Sequence, residues 1–367
     1  ICYYCACNKI ITKNRERAEP YLQDLYREIE LQSTLFDHDR EVRQLHWGGG
    51  TPGFLSRLQT QQLMEKIAAH FSLEGKWDKE YSIELDPRVM EAGGIAHLRQ
   101  LGFNRISLGV QDLDEKVQIA VNRVQSLEAT RAVIEDARLH GFRSINIDLI
   151  YGLPHQTLQS FSDTLRRIIE LAPDRIAMYN YAHLPHRFPP QRRIKEEDLP
   201  SSAAKLDILH SAIDQLSAAG FDYIGMAHFA KPDDELAIAQ RNRNLHRNFQ
   251  GYSAHAQCDS IGFGVSAISQ VHDNFSQNTN SLEEYHSCLE QSRLPVVRGY
   301  QSHDDDLLRR EIIQQLVCHF RLDTRLIGKA WNIDFSEYFA DELERLADME
   351  KDGLLTFDKD QIIVLEP

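Results

Sequence analysis

Three thiols open the chain, at Cys2, Cys5 and Cys7 in Ile-Cys-Tyr-Tyr-Cys-Ala-Cys. Cysteines this close cannot all pair with one another, and thiolates so clustered usually bind iron–sulfur or zinc. A structural zinc site usually draws a second ligand pair from a distance. No second Cys-x-x-Cys occurs here, although histidines could supply one. A second feature is Gly48-Gly49-Gly50-Thr51-Pro52, where glycines let backbone approach a ligand and expose its N–H groups. The lysine and length of a phosphate loop are missing, and a plain tight turn is the simpler alternative. A third is Glu84, which strand alternation turns away from Ile83 and Leu85. An acid there needs a partner, and a ribose hydroxyl or an ammonium would serve.

Charge adds a fourth. The formal net charge of −14 disfavours a general nucleic-acid binder, which needs a basic footprint. Yet Arg187, Arg192 and Arg193 form one basic group, and Lys231, Arg241, Arg243 and Arg247 another. Solvated loop charge accounts for any one of them; two groups in an acidic chain could face a polyanionic small molecule.

Positioning these residues requires alternating strands and helices. Short β-branched or aromatic runs at 42–47, 81–85, 105–110, 144–150 and 175–181 predict strands. Amphipathic stretches around 22–29, 58–71, 90–101, 127–137, 158–171 and 203–219 predict helices between them. Repeated β-loop-α units imply a parallel sheet, doubly wound or closed into a barrel. Polar residues recur at the C-terminal ends of the strands, at 48–51, Glu84, Gln111, Asp148 and Asn180, the catalytic rim of a parallel barrel. Alternation stops near 225. The stretch 225–269 has few helix signals, and an unstructured loop of that length is uncommon unless functional. Helical patterns return at 307–320 and 338–346, and the end reads as a hairpin, suggesting a small winged-helix-like module.

The length of 367 residues allows one large α/β domain and a small accessory one. Apolar content of 42% and charged content of 26% are ordinary for a globular protein, and no apolar run is long enough to span a membrane. The scattered Cys258, Cys288 and Cys318 make no disulfide framework and point to a reducing cytoplasm.

Taken together and in this order, the cysteine cluster, Gly-Gly-Thr-Pro and a strand ending in Glu84 resemble the radical S-adenosylmethionine enzymes. Cys7, Leu45-His-Trp-Gly-Gly-Gly-Thr-Pro52, Arg105-Ile-Ser-Leu-Gly-Val-Gln-Asp112, Asn122-Arg123 and Asn146-Ile-Asp-Leu-Ile-Tyr-Gly-Leu-Pro154 resemble the oxygen-independent coproporphyrinogen III oxidases more narrowly. So do Asn180-Tyr-Ala-His-Leu-Pro185, His228-Phe-Ala-Lys-Pro-Asp-Asp-Glu-Leu-Ala237 and His246-Arg-Asn-Phe-Gln-Gly-Tyr252. The last two stretches and Cys7 argue against the haem chaperone-like relatives, the main alternative; a structural zinc protein is the other.

The resemblance implies a partial (β/α)6 TIM-like barrel over 1–225, a substrate-covering extension over 226–300 and a helical, winged-helix-like domain over 301–367. It implies a 4Fe–4S cluster on Cys2 and Cys5, with Cys7 near it but not a ligand. The family's first cluster cysteine would fall before Ile1, and its tail would run past Pro367. Tyr4, Gly49 and Glu84 match contacts to a cluster-bound S-adenosylmethionine. Gly50, Thr51, Gln111, Arg123, Asp148, Ala182 and Ile268 match contacts to a second such molecule, which Gln250 also approaches. No side chain is assigned as a catalyst. The implied reaction is hydrogen abstraction from two propionates of coproporphyrinogen III by a 5′-deoxyadenosyl radical. Loss of CO2 and one electron then leaves a vinyl group at each, giving protoporphyrinogen IX. A flavodoxin- or ferredoxin-like electron donor, a monomeric state and a cytoplasmic location are implied too, with no nucleic acid or membrane as partner. Two departures stand out: Ala227 where the family has an acid, and Ala254 where it has a threonine.

Overall fold

A computed structural model describes residues 1–73, 79–255 and 258–365. The first half alternates as its hydrophobic pattern requires: α1 (Ala18–Ser33), β1 (Gln44–Trp47), α2 (Arg57–His70), β2 (Glu80–Leu85), α3 (Gly94–Gln100) and β3 (Arg105–Gln111). It continues through α4 (Glu115–Ala120), α5 (Leu127–Leu139), β4 (Ser144–Tyr151), α6 (Leu158–Glu170), β5 (Arg175–Asn180), α7 (Ser202–Ala218) and β6 (Asp222–Gly225). Helix starts are chemically marked. Ser56 and Gln59 form a capping box on α2, Thr157 and Ser160 one on α6, and the Ser126 and Ser201 hydroxyls cap α5 and α7.

β1 to β5 lie side by side and parallel. Ile83, Leu85, Ile106, Leu108, Ile145, Ile147 and Leu149 point outward into the core under the helices. The alternate residues line the other face, and register brings Glu84 opposite Ser107, Gly109 opposite Asp148 and Asp148 opposite Ala177. This is the parallel α/β arrangement, with one polar inner face, that the sequence implies. The sheet then departs from simple order: β7 (His228–Ala230) pairs antiparallel with β5, and β6 pairs with β7 rather than β5. The main sheet therefore runs on to Ala230.

The stretch predicted as a long irregular loop is largely ordered. It holds β7, α8 (Glu235–Arg241), and a hairpin of β8 (His246–Asn248) and β9 (Gly251–Ser253). β10 (Ile268–Val271), β11 (Asn274–Asn278) and β12 (Val296–Gln301) form a separate sheet, with α9 (Leu282–Glu290) between the last two. The C-terminal module follows as α10 (Asp304–His319), β13 (Arg321–Asp323), α11 (Thr324–Trp331), α12 (Phe335–Tyr338), α13 (Ala340–Lys351), β14 (Leu355–Asp358) and β15 (Gln361–Val364). Its three strands pair in the order β13-β15-β14 around a core of Leu308, Leu322, Ile327, Phe339 and Ile362. Among the described residues no helix is long and apolar enough to cross a membrane.

One buried carboxylate joins the β10–β12 sheet to the barrel. Glu28 on α1 accepts from Tyr285 Oη (2.5 Å), Asn278 Nδ2 (2.6 Å) and the Gly264 N–H (2.8 Å). Burial pushes its carboxyl up while these donors oppose the rise. Glu28→Ala strands three buried donors, each worth about 1–3 kcal/mol when unmet. Urea unfolding should therefore show a loss of at least about 3 kcal/mol on that count, with Glu28→Gln losing less.

Candidate active site

The mouth of the barrel lies at the C-terminal ends of β1 to β5. At the end of β1, Gly49 adopts φ +102° and its N–H donates to Glu84 Oε2 at 3.3 Å. His46 Nε2 lies 3.3 Å from Glu84 Oε1, and His46 Nδ1 lies 2.8 Å from Ser82 Oγ. The three glycines have separate reasons. A Cβ on Gly48 would fall 2.6 Å from both Glu84 Oε1 and His46 Nε2, whereas one on Gly49 or Gly50 would meet open space. The Gly49–Thr51 backbone is thus exposed and free to be approached.

Facing this turn is the cysteine loop, held by its backbone. Tyr3 N–H donates to the Val121 carbonyl (2.9 Å), Asn122 Nδ2 to the Ile1 carbonyl (2.7 Å) and Gln191 Nε2 to the Tyr4 carbonyl (3.0 Å). Gln191 Nε2 also reaches the Ala182 carbonyl at 3.2 Å, so one buried amide ties the loop to the segment after β5. Cys2 Sγ lies 3.6 Å from Arg123 Nη1 and 3.9 Å from Arg88 Nη2. Both guanidiniums also grip Asp86, at 3.2 Å and 2.6 Å. Burial works to raise the Asp86 carboxyl, but the two arginines outweigh it and hold it below the usual range. A hydrogen bond with Cys7 lowers the Cys5 thiol to about 5 against its burial, with help from Lys9; the same contact and burial raise Cys7.

Gln111, at φ 73°, ends β3 in a bulge where the β3–β4 register shifts. Its amide crosses Gly109, where a Cβ would lie 2.9 Å from Gln111 Nε2 and 3.1 Å from Arg123 Nη2. Arg123 Nη2 donates to the Gly109 carbonyl. The bulge is pinned by buried Asp112, which accepts from Thr164 Oγ1 (2.8 Å), Gln156 Nε2 (2.5 Å) and the Asp114 N–H (2.7 Å). On β4, Asp148 accepts from Ser107 Oγ (2.7 Å) and Asn146 Nδ2 (2.8 Å).

Burial pushes Asp148 up to about 6, with the Glu84 charge adding to the rise and the Ser107 bond opposing it. The folded protein therefore holds this proton more tightly than the unfolded chain does. Its stabilising contribution is complete below about 3.8 and is lost as pH rises through about 6. A rise of about 2 at about 1.4 kcal/mol per pH unit bounds the neutral-pH cost at about 3 kcal/mol. Asp148→Asn should gain thermal stability relative to the parent as pH climbs from about 5 to 7.5, checked by melting temperature across that window.

Most of the residues singled out in the sequence thus converge. Gly49 and Glu84 touch, and Cys2 meets Arg123. Gln111 lies over Gly109 and beside Arg123, and Tyr4 and Ala182 share Gln191. Gln250 and Ile268 stand apart in the contacts shown. Gln250 is exposed at the β8–β9 turn, whose Phe249 packs on Phe275 of β11 at 5.8 Å, and Ile268 begins β10. Among the described residues no three His, Cys, Asp or Glu side chains gather as a metal site. The donor set still fits a thiolate-held cluster: two thiols of one turn, with two guanidiniums beside Cys2 and the Cys5 thiol lowered. The sequence reading passed over Asp86, Arg88 and Gln191; the Asp-Pro-Arg run that follows Leu85 was the available signal for the first two.

The basic groups are mostly occupied elsewhere. Lys231 pairs with Asp174 (3.2 Å) and Arg241 with Asp222 (2.8 Å), both just before or at the starts of strands, opposite the mouth. Arg192 donates to the Pro185 carbonyl and Arg193 to Tyr3 Oη. A polyanion at the mouth cannot use the first two, which corrects the expectation for those two residues.

A parallel barrel with paired thiols, an open glycine turn and a carboxylate on one rim defines a radical S-adenosylmethionine enzyme, a class that uses a 4Fe–4S cluster and S-adenosylmethionine. The Radical SAM superfamily model matches residues 1–168. The chain is 52% identical over 361 residues to an oxygen-independent coproporphyrinogen III oxidase from Pseudomonas aeruginosa, covering 98% of this chain and 78% of that protein. It is 48% identical over 364 residues to the Escherichia coli protein of the same name, covering 99% and 79%. The solved structure of coproporphyrinogen III oxidase from Escherichia coli, described as a radical SAM enzyme, superposes with a TM-score of 0.95, covering 99% of this chain and 83% of that one at 48% identity. The chain belongs to the oxygen-independent coproporphyrinogen III oxidase family.

Proposed function

We propose that this chain carries out the anaerobic oxidative decarboxylation of two propionates of coproporphyrinogen III to vinyl groups, in tetrapyrrole biosynthesis. The observation that carries the reading is the contact of the Gly49 N–H with Glu84, facing the Cys2–Cys5 loop on one barrel rim. When bound, the cluster and S-adenosylmethionine supply the radical that removes a hydrogen atom from the propionate side chain. The protein's own part is positioning and shielding. Cys2 and Cys5 hold the cluster. Glu84 would accept the ammonium of the cofactor, with Gly49 leaving room for its approach and Tyr4 beside it.

A second S-adenosylmethionine would be held by Gly50, Thr51, Gln111, Arg123, Asp148 and Ala182, with Ile268 and Gln250 supplied by the covering extension. That extension, 226–300, gives β7 to the barrel unit of 1–225, and 301–367 forms the third unit. A low-potential flavodoxin- or ferredoxin-like donor, a monomeric state and a cytoplasmic location complete the proposal. The test is anaerobic reconstitution of the full protein with iron, sulfide and S-adenosylmethionine, followed by assay for vinyl product and 5′-deoxyadenosine. Stoichiometric formation of both is expected. A fully loaded cluster that cleaves S-adenosylmethionine but leaves coproporphyrinogen III intact overturns the substrate.

A further inference from the structure

Of the two basic groups, one member is neither occupied by a carboxylate nor out on an open loop. Arg247 on β8 is half-buried, and its backbone is fixed from outside the barrel: its N–H donates to Gln314 Oε1 (3.0 Å) and its carbonyl accepts from Gln314 Nε2 (2.6 Å) on α10. Its side chain is different. Among the described residues the guanidinium makes no hydrogen bond and no ion pair, and its Nε is buried without a partner. It rests on the Tyr252 ring, with Cζ 5.5 Å from the centroid. Tyr252 in turn packs edge-on to His228 at 5.4 Å, and His228 packs edge-on to Tyr179 at 5.8 Å. Tyr179 and His228 belong to the inward-facing rows of β5 and β7; Tyr179 is 48% exposed.

A half-buried cation without a counter-charge is expensive, and it is retained where an anion arrives to pair with it. The surroundings suit such an anion. Asp148 and Glu84 lie near enough to raise the Tyr179 phenol further after its burial, while Arg247 opposes the rise, so Tyr179 stays a neutral donor. Burial, and then the Arg247 charge, lowers His228, so no second cation forms there at neutral pH. Cys318, behind Arg247, is also held protonated by burial. The groups around the guanidinium are therefore two phenols, a neutral imidazole and a thiol, with the Asp148 and Glu84 carboxylates beyond Tyr179.

Resting on the function proposed above, we propose that Arg247 is the carboxylate anchor of the substrate, holding one propionate against the Tyr179–His228–Tyr252 wall. This places the tetrapyrrole between Arg247 and the carboxylates of the rim. A planar fork matches a carboxylate with two parallel hydrogen bonds, and the aromatic wall offers an apolar face to a pyrrole ring.

The test uses the holoenzyme, with coproporphyrin III as a redox-stable probe read by fluorescence and its tetramethyl ester as the uncharged control. Arg247→Gln should weaken tetra-acid binding by about 10- to 100-fold, the worth of one lost charge-assisted contact. It should leave ester binding and S-adenosylmethionine binding within about 2-fold, with Arg247→Lys intermediate. An equal loss for acid and ester, or no loss for either, overturns the anchor. If Arg247→Gln does not fold, Arg247→Lys decides on the same acid-to-ester ratio. The two readings fail separately. A parent enzyme that binds the tetra-acid through Arg247 but releases no CO2 refutes the proposed reaction alone. One that decarboxylates normally after Arg247→Gln, with an unchanged KM for coproporphyrinogen III, refutes the anchor alone.

Discussion

Cys5→Ser and Cys2→Ser each leave a folded protein that forms no iron–sulfur chromophore on anaerobic reconstitution and yields no 5′-deoxyadenosine. The fold should survive because the loop is held by its backbone, through Val121, Asn122 and Gln191, and not by its sulfurs. Cluster assembly should not survive, because a serine hydroxyl is a poor ligand for iron where soft thiolates are required. Cys7→Ser is the informative contrast. Cys7 neighbours Cys5, and a serine in its place keeps a hydroxyl donor for the Cys5 sulfur, so the chromophore should be kept. Visible absorption, iron content and far-ultraviolet circular dichroism on the three variants check this. A Cys7→Ser protein that is colourless while Cys5→Ser stays brown would reverse the assignment of ligand and neighbour.

Much of this architecture is written in local pattern. β1 to β5 are four to eight residues long, and the buried and half-buried positions of β2, β3 and β4 alternate, so the face carrying Glu84 and Asp148 follows from which neighbours are apolar. The helices between them carry their own caps. What the chain conceals is of two kinds. Strands of three residues, such as β7, β8 and β9, are shorter than any period that would reveal them, and β7 enters the sheet only because β5 offers an edge beyond its parallel neighbours. Pairings across long separations are equally silent. Glu80 meets Arg105 and Arg175, which in turn meet Asp234 and Glu235, at the strand starts; nothing in those residue types shows that they plug the bottom of a barrel. The same holds for Gln191. It resembles any loop glutamine until its amide is found bridging Tyr4 and Ala182. The basic groups mislead for a related reason. Clustering in sequence says how much charge is present, while the sheet decides that Lys231 and Arg241 face one end and Arg247 the other.

Gly48→Ala should behave as a Glu84 variant although it removes no functional group. The new Cβ would sit 2.6 Å from Glu84 Oε1 and from His46 Nε2, closer than real contacts allow. The backbone at the end of β1 is fixed by its pairing with β2, so the movable partners are the two side chains. Glu84 can swing into the mouth at little cost to folding, and thermal stability should change by less than about 1 kcal/mol, as for other substitutions that a flexible side-chain end absorbs. The carboxylate leaves the Gly49 N–H, however, and no longer faces the exposed glycine turn. A charge-assisted hydrogen bond is worth about 1.5–3 kcal/mol, so S-adenosylmethionine affinity should fall by about 10- to 100-fold with the cluster retained. Glu84→Gln should fall by a similar factor. The double variant decides the mechanism: if the added methyl acts only through Glu84, then Gly48→Ala on a Glu84→Gln background costs almost nothing further, and the two losses are far from additive. Additive losses in equilibrium binding would mean that the glycine serves the cofactor directly, through backbone approach, and that the Glu84 contact is incidental to its choice.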